Sequence, residues 1–191
     1  PEQQNLLIAI EALNQQGILD FEEGRSQQAL QSFTKALQLD PENLAALFGS
    51  YQVWRELNNS VQYEVAFAQM LAAAIRQENI SFRFLFQVRT AEFRDDVELS
   101  KDYSFWLIQL ARQLHASGRC LLIQGHASNS GTLEYNQKLS KDRAQQVAKQ
   151  MIKFVPELKN KIAFEGRSFL DNVVGSGTDD AKDAIDRRVD F

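Results

Sequence analysis

The residues best placed to do chemistry fall in one stretch, Gly125 to Val147, which reads GHASNSGTLEYNQKLSKDRAQQV. A glycine-punctuated loop carries a histidine, hydroxyls and an amide, and an asparagine and an arginine follow at helical spacing. Arg143 borders an apolar stripe, so its methylenes can lie on a core while the guanidinium reaches the mouth of the preceding loop. The chain has two histidines, His115 and His126, and neither lies in a nucleophile or zinc motif. No carrier of catalysis is visible, and the chain reads as a non-enzyme without a cofactor. Gly175-Ser176-Gly177 lacks the Gly-Lys-Ser/Thr of a phosphate cradle and reads as a flexible loop. Asp179, Asp180, Asp183 and Asp186 lack the alternating spacing and central glycine of a calcium loop, so no metal site is expected.

The elements that position this stretch follow from periodicity. An apolar run, RCLLIQ, enters the loop as a strand. Thr132 is an N-cap, and a helix leaves from Leu133 with Tyr135, Leu139, Ala144, Val147, Ala148, Met151 and Ile152 on one buried face, ending before Pro156. Upstream, Phe82, Phe84, Phe86 and Val88 alternate as a first strand. Leu99 to Ala116 reads as a helix stopped by Gly118. Arg119–Gln124 and Lys161–Glu165 read as further strands. Thr178 caps a short helix that leads to a last strand at Arg187. Cys120, the single cysteine, sits in an apolar strand as a small buried residue.

From Pro1 to Glu78 the periodicity is helical only. Asn5 to Glu23 forms a helix closed by Gly24, and Ser26 caps a second that ends at Asp40-Pro41. Gly17, Phe21, Gly24, Ala29, Phe33, Ala36 and Pro41 together resemble a tetratricopeptide repeat. A degenerate second copy follows at the period of that repeat, with Gly24 mapping to Asn58 and Phe33 to Phe67. Two helix pairs are fewer than a solenoid generally needs, so the unit is expected to pack on a neighbour or to continue upstream of Pro1. The boundary falls near Gln77-Glu78-Asn79, giving a helical domain over 1–78 and an α/β domain over 79–191. Limited proteolysis is expected to nick residues 77 to 81 and leave a stable fragment from about Ser81 onward, as checked by mass spectrometry. A sole cut inside Leu133 to Phe154 would overturn this boundary.

Gly125-His126, Gly131, Tyr135-Asn136, Leu139-Ser140, Arg143-Ala144 and Val147 resemble the signature of the OmpA-like C-terminal domain. Ala91-Glu92-Phe93-Arg94 resembles the end of that family's first strand, and Asp186-Arg187-Arg188-Val189-Asp190-Phe191 its last. The resemblance spans about residues 82 to 191. It implies an α+β chain in which tetratricopeptide-like helical hairpins precede a two-layer βαβαβ unit with a final strand. It also implies a cell-envelope protein that grips the peptide of peptidoglycan in the periplasm, with an anchor outside this stretch. By matching positions, Arg143 takes a diaminopimelate carboxylate, and Asn136 and Leu139 line the same pocket; the alternative for Arg143 is a structural role, tethering the loop through backbone carbonyls or pairing with Asp142 or Glu134. Two family acids are replaced. The aspartate that follows the glycine-histidine pair is Ser128 here, with Ala127 before it. The acid of the family's Phe-Asp-Ser-Ala-Glu-Leu is Arg89, within Val88-Arg89-Thr90-Ala91-Glu92-Phe93. Peptidoglycan association is therefore expected to be weakened or altered, with a protein partner bound through the helical repeats as the alternative.

Composition sets the outer limits. A length of 191 residues allows a sizeable core, and 13 Phe against 3 Pro favours packed structure over disorder. A formal charge of −4 opposes general affinity for nucleic acid. No run of 18 apolar residues exists, so no membrane-spanning helix is expected.

Overall fold

In a computed structural model, residues 2–80, 84–94, 102–177 and 182–191 are described. The chain forms two compact units, Pro1–Glu78 and Asn79–Phe191. Among the described residues no helix is long and apolar enough to cross a membrane.

The first unit has four helices, α1 (Glu2–Glu22), α2 (Ser26–Leu39), α3 (Leu44–Glu56) and α4 (Ser60–Arg76). Gly24 and Asn58 both take left-handed backbone, with φ of +74° and +53°. This is the conformation that ends one helix and turns the chain into the next, and Asn is the residue besides glycine that visits it most readily. The repeat register is therefore visible in the backbone itself. Phe33 and Phe67, one repeat apart, are each 1% exposed. The Phe33 ring lies against two glycines: a Cβ on Gly17 of α1 would stand 2.5 Å from it, and one on Gly49 of α3 would collide with it outright. In the second copy Tyr51 replaces Gly17, and the space is filled by ring on ring, with Tyr51 and Phe67 centroids 4.8 Å apart.

Ser26 does not cap α2. It is the first helical residue, and the preceding Arg25 makes no cap hydrogen bond. Instead the Arg25 Nε donates to Asp20 at 2.8 Å and so ties the turn to α1. The side-chain caps are at Asn43, which accepts from the Ala46 amide, and Asn59, which accepts from that of Gln62. Ala29 is fully buried in the cluster with Ile10, Phe33, Ala36, Ala46 and Val53. Ala29→Trp should overpack this cluster and lower stability by about 1–3 kcal/mol in thermal unfolding. A neutral result would mean that α2 is not closely packed there.

The second unit is built on a three-stranded sheet of order β2-β1-β3, with β1 Leu121–Gly125, β2 Ile162–Gly166 and β3 Val189–Asp190. β1 and β2 run parallel, from Leu121 opposite Ile162 to Gly125 opposite Gly166. A parallel pair needs a crossover, and α6 (Leu133–Phe154) supplies it. β3 pairs antiparallel through Gln124 with Asp190 and Gly125 with Val189. α5 (Tyr103–Ser117) buries Tyr103, Leu107, Leu110 and Leu114 and ends at Gly118, whose φ is +71°. A Cβ on Gly125 would collide with the Ser140 carbonyl oxygen, so α6 lies directly on the strand ends where only glycine fits.

Three expectations are corrected here. The segment around Phe84–Val88 forms no strand among the described residues. Phe86 makes an isolated antiparallel bridge to Phe93, closed by hydrogen bonds from Gln87 N to Glu92 O and Arg94 N to Leu85 O. Its alternation serves burial instead: Phe84 and Phe86 are wholly buried, and Phe84 meets Tyr103 at 5.0 Å between ring centroids. Cys120 is exposed, not buried. It precedes β1 and shares the outward parity of Leu122. Tyr135 is exposed as well, because it lies on the first turn of α6, ahead of the face covered by Ala144, Val147 and Met151. The expected cap at Thr178 lies outside the described residues, and a short 3-10 helix is seen at Lys182–Asp186.

Candidate functional site

Three pieces of chain meet at the start of α6: the turn 87–90, the loop 126–132 and the first turns of the helix itself. Thr132 caps the helix, its hydroxyl accepting from the Tyr135 amide at 3.2 Å. Asn136, 2% exposed, donates from Nδ2 to the Ser130 carbonyl at 2.7 Å and so fixes the loop on the helix. Tyr135 donates its hydroxyl to the Arg89 carbonyl at 3.4 Å, linking helix and turn. Arg89 itself is exposed on left-handed backbone, with φ of +62°.

Arg143 holds the assembly together. Its side chain is fully buried, whereas periodicity places it at the border of the apolar face. Nε donates to the Thr90 carbonyl at 3.0 Å, Nη1 to that of His126 at 2.9 Å and Nη2 to that of Gln87 at 3.2 Å. The guanidinium carbon stands 5.3 Å from the centroid of the Phe86 ring, a cation–π arrangement. A buried guanidinium with donors fanned in one plane can bridge two separate loops, which an ammonium cannot do with the same geometry. Ser128 is 4% exposed, with its Oγ 3.4 Å from that of Ser130. Leu139 is half-buried on the same helix. The structure thus brings Arg143, Asn136 and the carbonyl of Arg89 to one place, with Ser128 buried in the adjoining loop.

Other groups of this loop system were not legible from sequence. Asp186, fully buried, accepts from the amides of Val173, Val174 and Gly175 at 2.6, 3.1 and 2.7 Å. Asp183, equally buried, accepts from the Ser176 amide and hydroxyl. The stretch around Gly175 is therefore tied down, not loose, and its amides cradle carboxylates of the same chain. With its amide oriented to suit, Asn172 donates to the Ala127 carbonyl at 2.9 Å and accepts from the Asn129 amide at 3.2 Å. No group of three or more His, Cys, Asp or Glu among the described residues could hold a metal.

His126 is buried, and its Nε2 lies 3.1 Å from an Asp190 carboxylate oxygen. Arg188 Nε also donates to that carboxylate, at 3.0 Å. Burial pushes the Asp190 carboxyl up, but the neighbouring His126 imidazole and the Arg188 charge outweigh it and hold the group below the usual carboxylate range. A depressed carboxylate stabilises the fold above its unfolded pKa, and this contribution fades as pH falls through the folded value. The latch between loop and last strand is thus an acid-sensitive one.

The second unit is thus a two-layer α/β unit with a glycine-histidine loop at the N-terminus of its crossover helix, strapped by a buried arginine. Residues 94–186 match the OmpA family, and residues 10–43 match the tetratricopeptide repeat. The chain carries an OmpA-like domain preceded by tetratricopeptide-like repeats. Its structure is similar to that of the peptidoglycan-associated lipoprotein from Burkholderia pseudomallei, at 26% identity over 58% of this chain and 87% of that one, with a TM-score of 0.49. It is also similar to the cell wall anchor of the T6SS from Pseudomonas aeruginosa, at 27% identity over 64% of this chain and 92% of that one, with a TM-score of 0.45. No curated protein matches the chain.

Proposed function

We propose that this chain is a non-enzymatic cell-envelope module, working in the periplasm, whose OmpA-like domain contacts peptidoglycan weakly or in altered form. The carrying observation is the state of Arg143. The resemblance assigns it to a diaminopimelate carboxylate, yet here it is fully buried and donates to three backbone carbonyls. The two positions at which the family keeps acids support the same reading, since Ser128 and Arg89 offer a hydroxyl and a cation to a ligand ammonium. A charged hydrogen bond contributes about 1.5–3 kcal/mol, so the loss of one carboxylate weakens binding roughly 10- to 100-fold.

Co-sedimentation with purified peptidoglycan sacculi tests this directly. The chain is expected to remain largely in the supernatant where an acid-bearing OmpA-like domain pellets. Strong pelleting of the unmodified chain would overturn the reading. Assembly with another protein through the helical unit is the second reading, favoured by the exposed apolar residues of α1, among them Leu7 at 62% and Ile8 at 61%.

A further inference from the structure

The OmpA-like unit carries a cavity far from the loop site, at the other end of α6. Gln150 lies roughly 20 Å along the helix axis from Asn136, and Phe154 one turn further. There the last turns of α6, the first turns of α5 and residues 93 and 94 surround a space of about 210 Å³. Phe93, Leu107 and Phe154 give it an apolar wall, and the Phe93 and Phe154 side chains are only half-buried. Arg94, Ser104 and Gln150 supply a guanidinium, a hydroxyl and an amide, and among the described residues no acid lines the space. Ser104 is exposed, so the cavity opens to solvent on that side. Leu85 fixes the polar wall from behind: its carbonyl accepts from the Arg94 amide and its amide donates to the Tyr103 hydroxyl, both at 2.9 Å. Burial pushes the Tyr103 hydroxyl up, against the pull of the Leu85 amide and of the Arg94 charge, so the guanidinium lies near that ring.

We infer that this cavity binds a small aromatic carboxylate, with its ring on the apolar wall and its carboxylate at Arg94. The inference goes beyond the reading of the loop site and does not rest on it. Size selects the ring. An apolar cavity of about 150 Å³ holds benzene, so this one has room for a six-membered ring with a short carboxylate arm. Charge selects the head group. A guanidinium carries five donors in one plane, so a bond to another partner still leaves donors for a carboxylate. Tyr103 and Ser104 lie in the first turn of α5, whose positive dipole end adds to that charge. The Ser104 hydroxyl and the Gln150 amide can donate as well. A cationic ligand would meet the guanidinium with no acid in the lining to offset it, and a purely apolar one would take water from three polar groups. The same chemistry occurs in a free aromatic acid and at the C-terminus of a peptide that ends in phenylalanine.

The test uses the full chain labelled with nitrogen-15, and 3-phenylpropionate as the probe. The amide resonances of Arg94, Ser104 and Gln150 should shift together and give a Kd of about 1 mM or tighter, the range open to a ligand of this size. The neutral 3-phenylpropanamide should bind at least about tenfold more weakly, in line with the loss of a charged hydrogen bond. Arg94→Gln should weaken binding of the acid to the same extent. Gln150→Glu, which sets a like charge in the cavity at a helix position that suits glutamate, should do so too. Circular dichroism of each variant shows whether the fold is intact. The tripeptide Gly-Gly-Phe separates the two sources. Shifts at the same three amides assign the cavity to a chain terminus, and their absence beside a binding acid assigns it to a free acid. The inference is overturned if the acid shifts none of these amides at concentrations up to about 20 mM, if the neutral amide binds as well as the acid, or if both variants fold and bind unchanged. None of these outcomes involves sacculi or the loop site, so the two readings fail separately.

Discussion

Arg143→Ala is expected to lower the stability of the OmpA-like unit by about 3–5 kcal/mol, the cost of breaking one side of a buried charged network. The substitution strands the carbonyls of Gln87, Thr90 and His126, which the guanidinium now satisfies from inside the protein. It also removes the packing of the side chain on Phe86. Water entering the vacated space offsets part of the loss, which keeps the figure below three full desolvation penalties. Arg143→Lys should recover only a fraction, because one ammonium cannot span three carbonyls on two loops. The chain has two tryptophans, Trp54 in the helical unit and Trp106 on α5. In a Trp54→Phe background, urea unfolding followed by Trp106 fluorescence reports this unit alone. A loss under about 1 kcal/mol would mean that the arginine is not a strap.

Ser128→Asp combined with Arg89→Asp is expected to raise sedimentation with sacculi by at least roughly tenfold, in line with the charged hydrogen bonds regained. Arg89 is exposed and Ser128 is buried, so the first position takes a carboxylate freely and the second needs donors for it. Arg89 sits on left-handed backbone that aspartate adopts more readily than most residues. Ser128 already lies in a loop supplied with hydroxyls and amides, among them the Ser130 Oγ at 3.4 Å. Each single substitution should give less than the pair. A doubly substituted chain that folds normally by circular dichroism yet gains nothing would show that these positions do not decide the ligand.

The parts of this chain that were legible in the sequence are those fixed by local chemistry. Thr132 as a cap and Gly118 as a stop follow from orphan amides and left-handed backbone. Asn58 follows from the repeat, since only a residue that accepts positive φ can stand where Gly24 stands. What was not legible depends on partners distant in sequence. Arg143 counts as polar in any periodicity, and although a tether to backbone carbonyls is one of its two readings, nothing within its own helix shows which carbonyls await it, two of them far upstream at Gln87 and Thr90. Asp183 and Asp186 resemble a failed metal loop until the amides of residues 173–176 are seen folded over them. Phe84 and Phe86 alternate as strand residues do. Two buried rings in an extended segment produce the same pattern without a ladder.

Phe33 has a further property that its neighbours impose. Its ring lies against backbone at Gly17 and at Gly49, so one side chain touches two different helices with no flexible group to yield on either side. A half-turn of the ring about its long axis sweeps out volume that only a momentary parting of α1 and α3 can supply. The rate at which the two ring edges exchange, read from aromatic NMR line shapes, therefore clocks the breathing of the helix stack. In the second copy Tyr51 replaces one of those glycines, and ring can slide over ring. Phe67 should turn over the faster of the two, which makes the glycine-bearing repeat the stiffer one.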